Sequence, residues 1–208
     1  MKKNERFWDR VAKSEAKSQR LDKFDDDYKK TFEVLAKHLK PEHRVLDFAC
    51  GTGKVSLGIA DKVKSVQGID LSSGMVEVAK LRAEQQGIKN VEFHHATIDD
   101  IRLEKGQFDV ILACNILHLL DDPKPTITRI HQLLSSGGLF ISSTGVLAEK
   151  RGVLTGLIWL LTKVGIVPKM HFYKTEQLKA LIAQDFQIID SAAWSGTFKD
   201  LMLVGCKG

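Results

Sequence analysis

The chain has 208 residues, 43% of them hydrophobic, with 31 Lys+Arg against 26 Asp+Glu and a formal net charge of +5. This composition is typical of a globular protein and excludes a disordered chain, which has fewer apolar residues, and a fibre, which has a compositional repeat. Residues 1–44 hold 13 of the basic and 9 of the acidic side chains, so the rest of the chain is nearly neutral and is not expected to bind nucleic acid.

The first part of the chain, up to Pro41, is predicted to be helical. Trp8 and Val11 belong to one amphipathic pattern, which a charged stretch follows, and a second pattern runs from Tyr28 to Leu39. Pro41 ends it, because proline does not continue a helix. We therefore expect helices ahead of the first strand.

Short apolar runs separated by helical segments follow. Strands that alternate with helices predict βαβ units, and hence a mostly parallel sheet with helices on both faces. The last two strands are joined by a short polar link and are expected to pair antiparallel. The predicted strands are residues 44–48, 65–70, 91–95, 108–114, 139–143, 186–194 and 201–207, and the helices between the first five are residues 54–61, 74–86 and 125–134.

A glycine turn follows the first predicted strand, in the sequence VLDFACGTG of residues 45–53. Gly51 and Gly53 permit positive φ and close approach of a ligand to the backbone, at the N-terminus of the next helix. The spacing is not that of a phosphate-binding P-loop, because the Gly-Lys-Ser/Thr element is absent. The turn predicts a nucleoside-containing ligand at the carboxyl edge of the sheet.

Two carboxylates narrow the class of ligand. Asp70 ends the second predicted strand, where it can accept hydrogen bonds from both hydroxyls of an unphosphorylated ribose. Asp47 precedes the turn, where a carboxylate repels the pyrophosphate of a dinucleotide and attracts a cation. The third glycine of the dinucleotide pattern is also replaced, by Ser56. A ligand with a ribose and an ammonium or sulfonium group is favoured.

The glycine turn and the two carboxylates make the chain similar to a known protein family. Residues 45–53 resemble motif I of the class I S-adenosylmethionine-dependent methyltransferases, and residues 66–79 resemble the second strand and following helix of that family. The resemblance covers roughly residues 30–208. It implies a Rossmann-like seven-stranded sheet that ends in an antiparallel hairpin, and S-adenosylmethionine as the cofactor.

The resemblance also implies the residues that contact the cofactor. Asp47 would hold the turn and the amino group, Asp70 the ribose hydroxyls, Leu71 and Met75 the adenine face, and Thr97 the adenine amino group. The complete expected set is Asp47, Ala49, Gly51, Gly53, Asp70, Leu71, Met75, Thr97, Ile98, Cys114 and Asn115.

Two of these residues depart from the family pattern. Ala49 occupies the position of the first glycine in the family motif, and Thr97 occupies the position of the usual aspartate. Nearby Asp99 is the second choice for the contact with the adenine amino group. Cys114 and Asn115 end the fourth predicted strand and would border the methyl group of the cofactor. None of these changes removes Asp47 or Asp70.

His118 is the candidate catalytic residue. It follows the fourth predicted strand at the edge where ligands bind, and near neutral pH it could take a proton from the acceptor or orient it. The alternative is a structural histidine, because methyl transfer to a nucleophilic acceptor often needs no base.

The three cysteines, Cys50, Cys114 and Cys206, have neither metal-ligand spacing nor a neighbouring base. We expect no metal and no disulfide framework, which fits a cytoplasmic protein. No apolar run follows the charged N-terminus, so no secretory signal is expected.

A single domain is expected over residues 1–208. The insertion predicted at residues 144–174 contains an apolar run that is shorter than the ~20 residues needed to span a bilayer. That run would form a wall of the acceptor pocket, make peripheral contact with lipid, or simply pack on the core. The expected parts are a helical cap at residues 1–42, the cofactor-binding core at 43–143, the insertion or lid at 144–174, and the last helix and hairpin at 175–208.

The expected function is direct in-line transfer of a methyl group to a small acceptor, apolar or lipid-like, that the sequence does not identify. Three alternatives stay open. The acceptor could be a tRNA or a protein, the chain could bind the cofactor without catalysis, or it could be a nicotinamide-dependent oxidoreductase. Asp47 argues against the last, and the near-neutral body of the chain argues against nucleic acid. The oligomeric state is not predicted.

Overall fold

A computed structural model describes residues 2–17, 26–146, 162, 167–195 and 199–208. The helices are α1 (Lys2–Lys17), α2 (Asp26–His38), α3 (Lys54–Gly58), α4 (Ser73–Gln85), α5 (Pro123–Leu133) and α6 (Thr175–Ile182). The strands are β1 (Arg44–Phe48), β2 (Ser65–Asp70), β3 (Val91–His95), β4 (Phe108–Cys114), β5 (Leu134–Gly145), β6 (Gln187–Ser195) and β7 (Lys199–Cys206). Two short 3₁₀ turns cover Ala60–Lys62 and Leu117–Leu119.

The seven strands form one sheet in the order β3-β2-β1-β4-β5-β7-β6. All neighbours from β3 to β5 pair in parallel, whereas β7 runs antiparallel to both β5 and β6. This confirms the Rossmann-like fold with a C-terminal antiparallel pair. The winding of the sheet reverses between β1 and β4, and such a switch point leaves a crevice at the carboxyl ends of the strands.

Each face of the sheet is covered by helices. In β4, Val110 and Leu112 pack with residues of α2, α3 and α4, whereas Ile111 and Ala113 pack with residues of α5 and α6. Successive side chains of a strand point to opposite faces, so a strand covered on both sides is apolar almost throughout. This explains why the central strands are visible in the sequence as short continuous apolar runs.

Two elements differ from the sequence prediction by more than two residues at one end. Strand β5 begins at Leu134 rather than at residue 139, because α5 leads directly into it and the register with β4 shifts between Phe108 and Val110. Helix α3 ends at Gly58 and a 3₁₀ turn continues the chain, as expected where glycine weakens the helix.

Most of the predicted insertion, residues 147–161 and 163–166, lies outside the described residues. Within the described ranges, no helix combines the length and apolar content that crossing a bilayer requires. The link between β6 and β7, residues 196–198, is likewise outside them.

Candidate functional site

A cavity of about 250 Å³ lies at the carboxyl edge of the sheet, where β1 and β4 are neighbours. The ends of these strands and the turn after β1 line one side, and residues of α1 and α2 line the other. Eight of the predicted cofactor residues are in its wall: Asp47, Ala49, Gly51, Asp70, Leu71, Met75, Cys114 and Asn115. The structure therefore brings together most of the predicted set.

The turn after β1 depends on left-handed backbone. Ala49, Gly51 and Gly53 have φ values of 59°, 53° and 77°. A Cβ added to Gly51 would meet no atom of the described residues within 4 Å, whereas one at Gly53 would lie 2.7 Å from Cζ of Phe93. Gly51 therefore borders open space in the cavity wall, and Gly53 allows the turn to pack against β3.

Asp70 is held by backbone donors on both sides of its carboxylate. Gly51 N–H donates to Oδ2 at 2.9 Å, and Ser72 N–H donates to Oδ1 at 2.8 Å. Burial raises the pKa of Asp70, and these two hydrogen bonds oppose the rise. Each oxygen keeps acceptor capacity for one more donor, such as a ribose hydroxyl.

Asp47 lies at the end of β1 and is only 1% exposed. The hydroxyl of Ser56, in α3, donates a hydrogen bond of 2.6 Å to its Oδ2. Burial raises the pKa of Asp47 to about 7; the Ser56 hydrogen bond opposes the rise and the charge of Asp70 adds to it. A cation beside Asp47 would stabilise its ionised form.

Helix α1 is attached to the core by partly buried polar contacts. Asp9 accepts hydrogen bonds from the Ser72 hydroxyl at 2.6 Å and from Gly74 N–H at 3.2 Å, at the start of α4. Arg82, in α4, is 6% exposed and donates both to Thr52 of the glycine turn and, at 3.4 Å, to Glu15 of α1. The turn, α4 and α1 are thereby connected.

Polar and aromatic residues of α1, α2 and α3 complete the wall. Glu15 Oε2 lies 3.9 Å from Nζ of Lys54, and that ammonium lies 5.6 Å from the centroid of the Tyr28 ring. Trp8 also lines the cavity. Trp8, Glu15 and Tyr28 belong to residues 1–42, whose role as a cap stays a prediction, and neither Glu15 nor Lys54 was among the predicted site residues.

Three predicted cofactor residues are not in the wall. Gly53 packs behind it, against Phe93. Thr97 is exposed after β3, as is Asp99, the second choice for its contact, while Ile98 is buried in the part of the core that contains residues of α5. Contacts of Thr97 and Ile98 with adenine stay predictions.

His118 lies beside the cavity, next to the lining residue Leu119, and does not line it. Burial lowers the pKa of His118 to about 4, so the ring is neutral at physiological pH. Its Nδ1 is buried without a hydrogen-bond partner among the described residues, as is Nε2 of His171. The backbone joins the two segments, because His171 N–H donates to the His118 carbonyl at 2.7 Å.

The environment of the two thiols in the wall raises their pKa values. Burial raises the pKa of Cys50 and of Cys114, and the nearby charge of Asp47 adds to both shifts. A thiol with a raised pKa is a poor nucleophile at neutral pH. The described residues contain no cluster of three side chains suited to hold a metal ion.

Comparison with known proteins identifies the family. A family model described as a methyltransferase domain matches residues 39–197. A ubiquinone biosynthesis O-methyltransferase of Ruegeria sp. (strain TM1040) is 38% identical over 101 residues, which is 49% of this chain and 40% of the relative. The chain thus matches less than half of the length of this curated relative.

Solved structures share the fold at low identity. The crystal structure of YcgJ from Bacillus subtilis matches with a TM-score of 0.68 and 19% identity, covering 86% of this chain and 98% of that one. The [4+2]-cyclase SpnF matches with a TM-score of 0.74 and 19% identity, covering 92% and 84%. The chain belongs to the methyltransferase domain family, the class I S-adenosylmethionine-dependent methyltransferases.

Proposed function

We propose that this protein transfers a methyl group from S-adenosylmethionine to a small, apolar acceptor. The observation that carries the proposal is the pair of buried carboxylates, Asp47 and Asp70, at the ends of the adjacent strands β1 and β2, on either side of Gly51. One can bind the ribose and the other can face a cation, and the ligand of the family has both groups.

The lining residues fit this cofactor by their chemistry. Asp70 would accept the ribose hydroxyls, Leu71 and Met75 would contact the adenine, and Asp47 would stabilise the cationic end. Gly51 leaves space where a side chain would obstruct the ligand. When bound, S-adenosylmethionine supplies an electrophilic methyl group, so the protein chiefly has to orient the acceptor and exclude water.

A nicotinamide dinucleotide fits the same residues poorly. Its pyrophosphate would lie over the turn, next to Asp47, which is buried and has the charge of Asp70 nearby. An ionised carboxylate at this position repels phosphate groups. The sulfonium cofactor therefore fits these residues better than the dinucleotide.

The remaining wall of the cavity supports an apolar acceptor. Trp8, Val11, Ile116 and Leu119 line it together with Tyr28. Such a surface binds an apolar or aromatic molecule, with few polar groups to fix its orientation. The relative from Ruegeria is named an O-methyltransferase of ubiquinone biosynthesis, and it supports a small apolar acceptor over a nucleic acid or a protein.

We also propose that His118 orients the acceptor. An imidazole with a pKa near 4 is a weak base, but it accepts a hydrogen bond from a hydroxyl or amine. The position of His118 next to the lining residue Leu119 supports this role. Orientation of the nucleophile is the contribution that methyl transfer requires most from the protein.

The proposed organisation is a single domain in which residues 1–42 form a cap over the cofactor. Trp8, Glu15 and Tyr28 in the cavity wall support the cap. We further propose a cytoplasmic location, which the free thiols of Cys50, Cys114 and Cys206 support.

The experiment is methyl transfer from S-adenosylmethionine labelled in the methyl group. Purified protein is incubated with a cell extract separated into lipid, small-molecule, protein and RNA fractions. Label is expected in a product of the lipid or small-molecule fraction, and Asp70→Ala should abolish it. Label only in RNA or protein would overturn the acceptor class, and tight cofactor binding without labelled product would favour a protein that binds the cofactor for another purpose.

A further inference from the structure

A chain of hydrogen bonds runs from helix α1 to the floor of the cavity. Asp9 accepts from the Ser72 hydroxyl at 2.6 Å, and Ser72 N–H donates to Oδ1 of Asp70 at 2.8 Å. Oδ2 of Asp70 then accepts from Gly51 N–H at 2.9 Å. The cap is therefore connected to the glycine turn through the carboxylate assigned to the ribose.

In this series of hydrogen bonds, the Ser72 hydroxyl is the donor to Asp9. Its oxygen accepts from Met75 N–H at 3.1 Å as the N-cap of α4, so its proton is left for an acceptor. Asp9 is that acceptor. Loss of the Asp9 carboxylate would leave the buried hydroxyl without an acceptor and loosen the residue whose N–H holds Asp70.

Close contact between α1 and α4 makes this arrangement depend on the docking of α1. A Cβ at Gly74 would lie 3.2 Å from Oδ1 of Asp9 and 3.4 Å from Cβ of Ala12, so a glycine at this position admits α1 to the start of α4. Ala12 is buried at this contact. Asp9 reaches Ser72 only when α1 is seated.

We propose that Asp9 is a positioning residue for Asp70, which makes the docking of α1 and the recognition of the ribose one coupled event. The proposal rests on the proposed function, because it takes Asp70 as the ligand of the cofactor ribose. Coupling between two binding events is reciprocal. A docked α1 strengthens ribose binding, and a bound ribose in turn stabilises α1 over the cavity.

The coupling has a consequence for the cavity wall. Helix α1 also contributes Trp8, Val11 and Glu15 to that wall. A ligand with both ribose hydroxyls would therefore close the cap that covers it. A ligand without them would occupy the same cavity and leave α1 no more stable than before.

Equilibrium binding of two probes, adenosine and 2′,3′-dideoxyadenosine, tests the proposal. For Asp9→Ala we expect adenosine affinity to fall by about tenfold, the effect of roughly one hydrogen bond, and dideoxyadenosine affinity to change by less than about twofold. Asp9→Asn keeps an acceptor oxygen and should restore most of the loss. Glu5→Ala is the matched control, because it removes the same charge from α1 at a site where the carboxylate pairs with the half-exposed His95.

Hydrogen exchange of residues 2–17 is the second measurement. Adenosine is expected to slow exchange of these residues in the wild-type protein. Dideoxyadenosine should leave the exchange rate of the wild type unchanged, and adenosine should leave that of Asp9→Ala unchanged. The coupling would be overturned if Asp9→Ala lost equal affinity for both probes, or if both probes protected α1 equally, provided that S-adenosylhomocysteine still binds the wild-type protein. Failure of S-adenosylhomocysteine to bind the wild type would instead overturn the proposed function, and this inference with it.

Discussion

Ser56 donates a hydrogen bond of 2.6 Å to Asp47, and both side chains are almost completely buried. This bond holds a carboxylate at the end of β1, in the wall of the cavity. The hydrogen bonds from Ser56 do not offset the cost of removing the charge from water, so the pKa of Asp47 rises to about 7. The protein thus keeps a carboxyl group whose charge depends on what binds beside it.

Cofactor affinity is expected to depend on pH through Asp47. The carboxyl is partly protonated at neutral pH, and a cationic ligand favours its ionised form, so binding releases a proton. The affinity for S-adenosylmethionine should fall as the pH drops below about 7, by up to roughly tenfold per pH unit. Calorimetric titration between pH 5.5 and 8.5 measures this. Asp47→Asn should bind more weakly with a much flatter profile, and an affinity that increases toward low pH would contradict the assignment.

The two glycines of the turn should respond differently to alanine. Gly53→Ala places a Cβ against Phe93 at positive φ, and we expect a loss of about 1–3 kcal/mol in the free energy of unfolding. Gly51→Ala meets no atom, so about 1 kcal/mol of backbone strain is the expected cost, while the added methyl group obstructs cofactor binding. Urea denaturation and binding of S-adenosylhomocysteine separate the two effects. Equal losses of stability would refute this division of roles.

His118→Ala should affect the acceptor and spare the cofactor. Loss of one orienting hydrogen bond is expected to lower kcat/KM for the acceptor by about tenfold, with the affinity for S-adenosylmethionine unchanged. His94→Ala is the control, because His94 pairs with Glu92 on β3. Normal turnover in His118→Ala would remove the proposed role.

Arg82 should contribute to stability through its partners. Arg82→Met leaves the Thr52 carbonyl and the Glu15 carboxylate without this donor, and we expect a loss of about 1–3 kcal/mol in the free energy of unfolding. Lys80→Met, at an exposed position of the same helix, controls for the loss of a positive charge. Chemical denaturation of both variants measures the difference, and equal stability would show that the buried guanidinium contributes nothing.

The fold could be predicted from the sequence where local patterns determine it. Strands β1 to β4 occupy the predicted residues, because strands covered on both faces are short continuous apolar runs. The start of β5 was predicted five residues too late. Leu134 pairs with Phe108 and the pairing with β4 resumes at Leu139, so the intervening residues are an irregularity inside the strand, and their composition resembles a loop: Ser135, Ser136, Gly137 and Gly138.

Residues of the candidate site could be predicted where they lie on consecutive elements of the chain. Asp47 lies in β1, Gly51 lies in the turn after it, and Asp70 ends β2, so one strand–turn–crossover unit places all three. Asp9 could not be found in this way, because it acts where two helices far apart in the chain meet. Arg82 left a signal that was missed, since it lies on the same inward-facing side of α4 as the buried residues Met75 and Ala79.

The most direct test of the central claim is calorimetric titration of the wild-type protein at pH 7.5 with S-adenosylhomocysteine and with NAD. The two buried carboxylates beside the turn predict saturable binding of S-adenosylhomocysteine, lost in Asp70→Ala, and no measurable binding of NAD. Saturable binding of NAD, together with no binding of S-adenosylhomocysteine, would contradict the account.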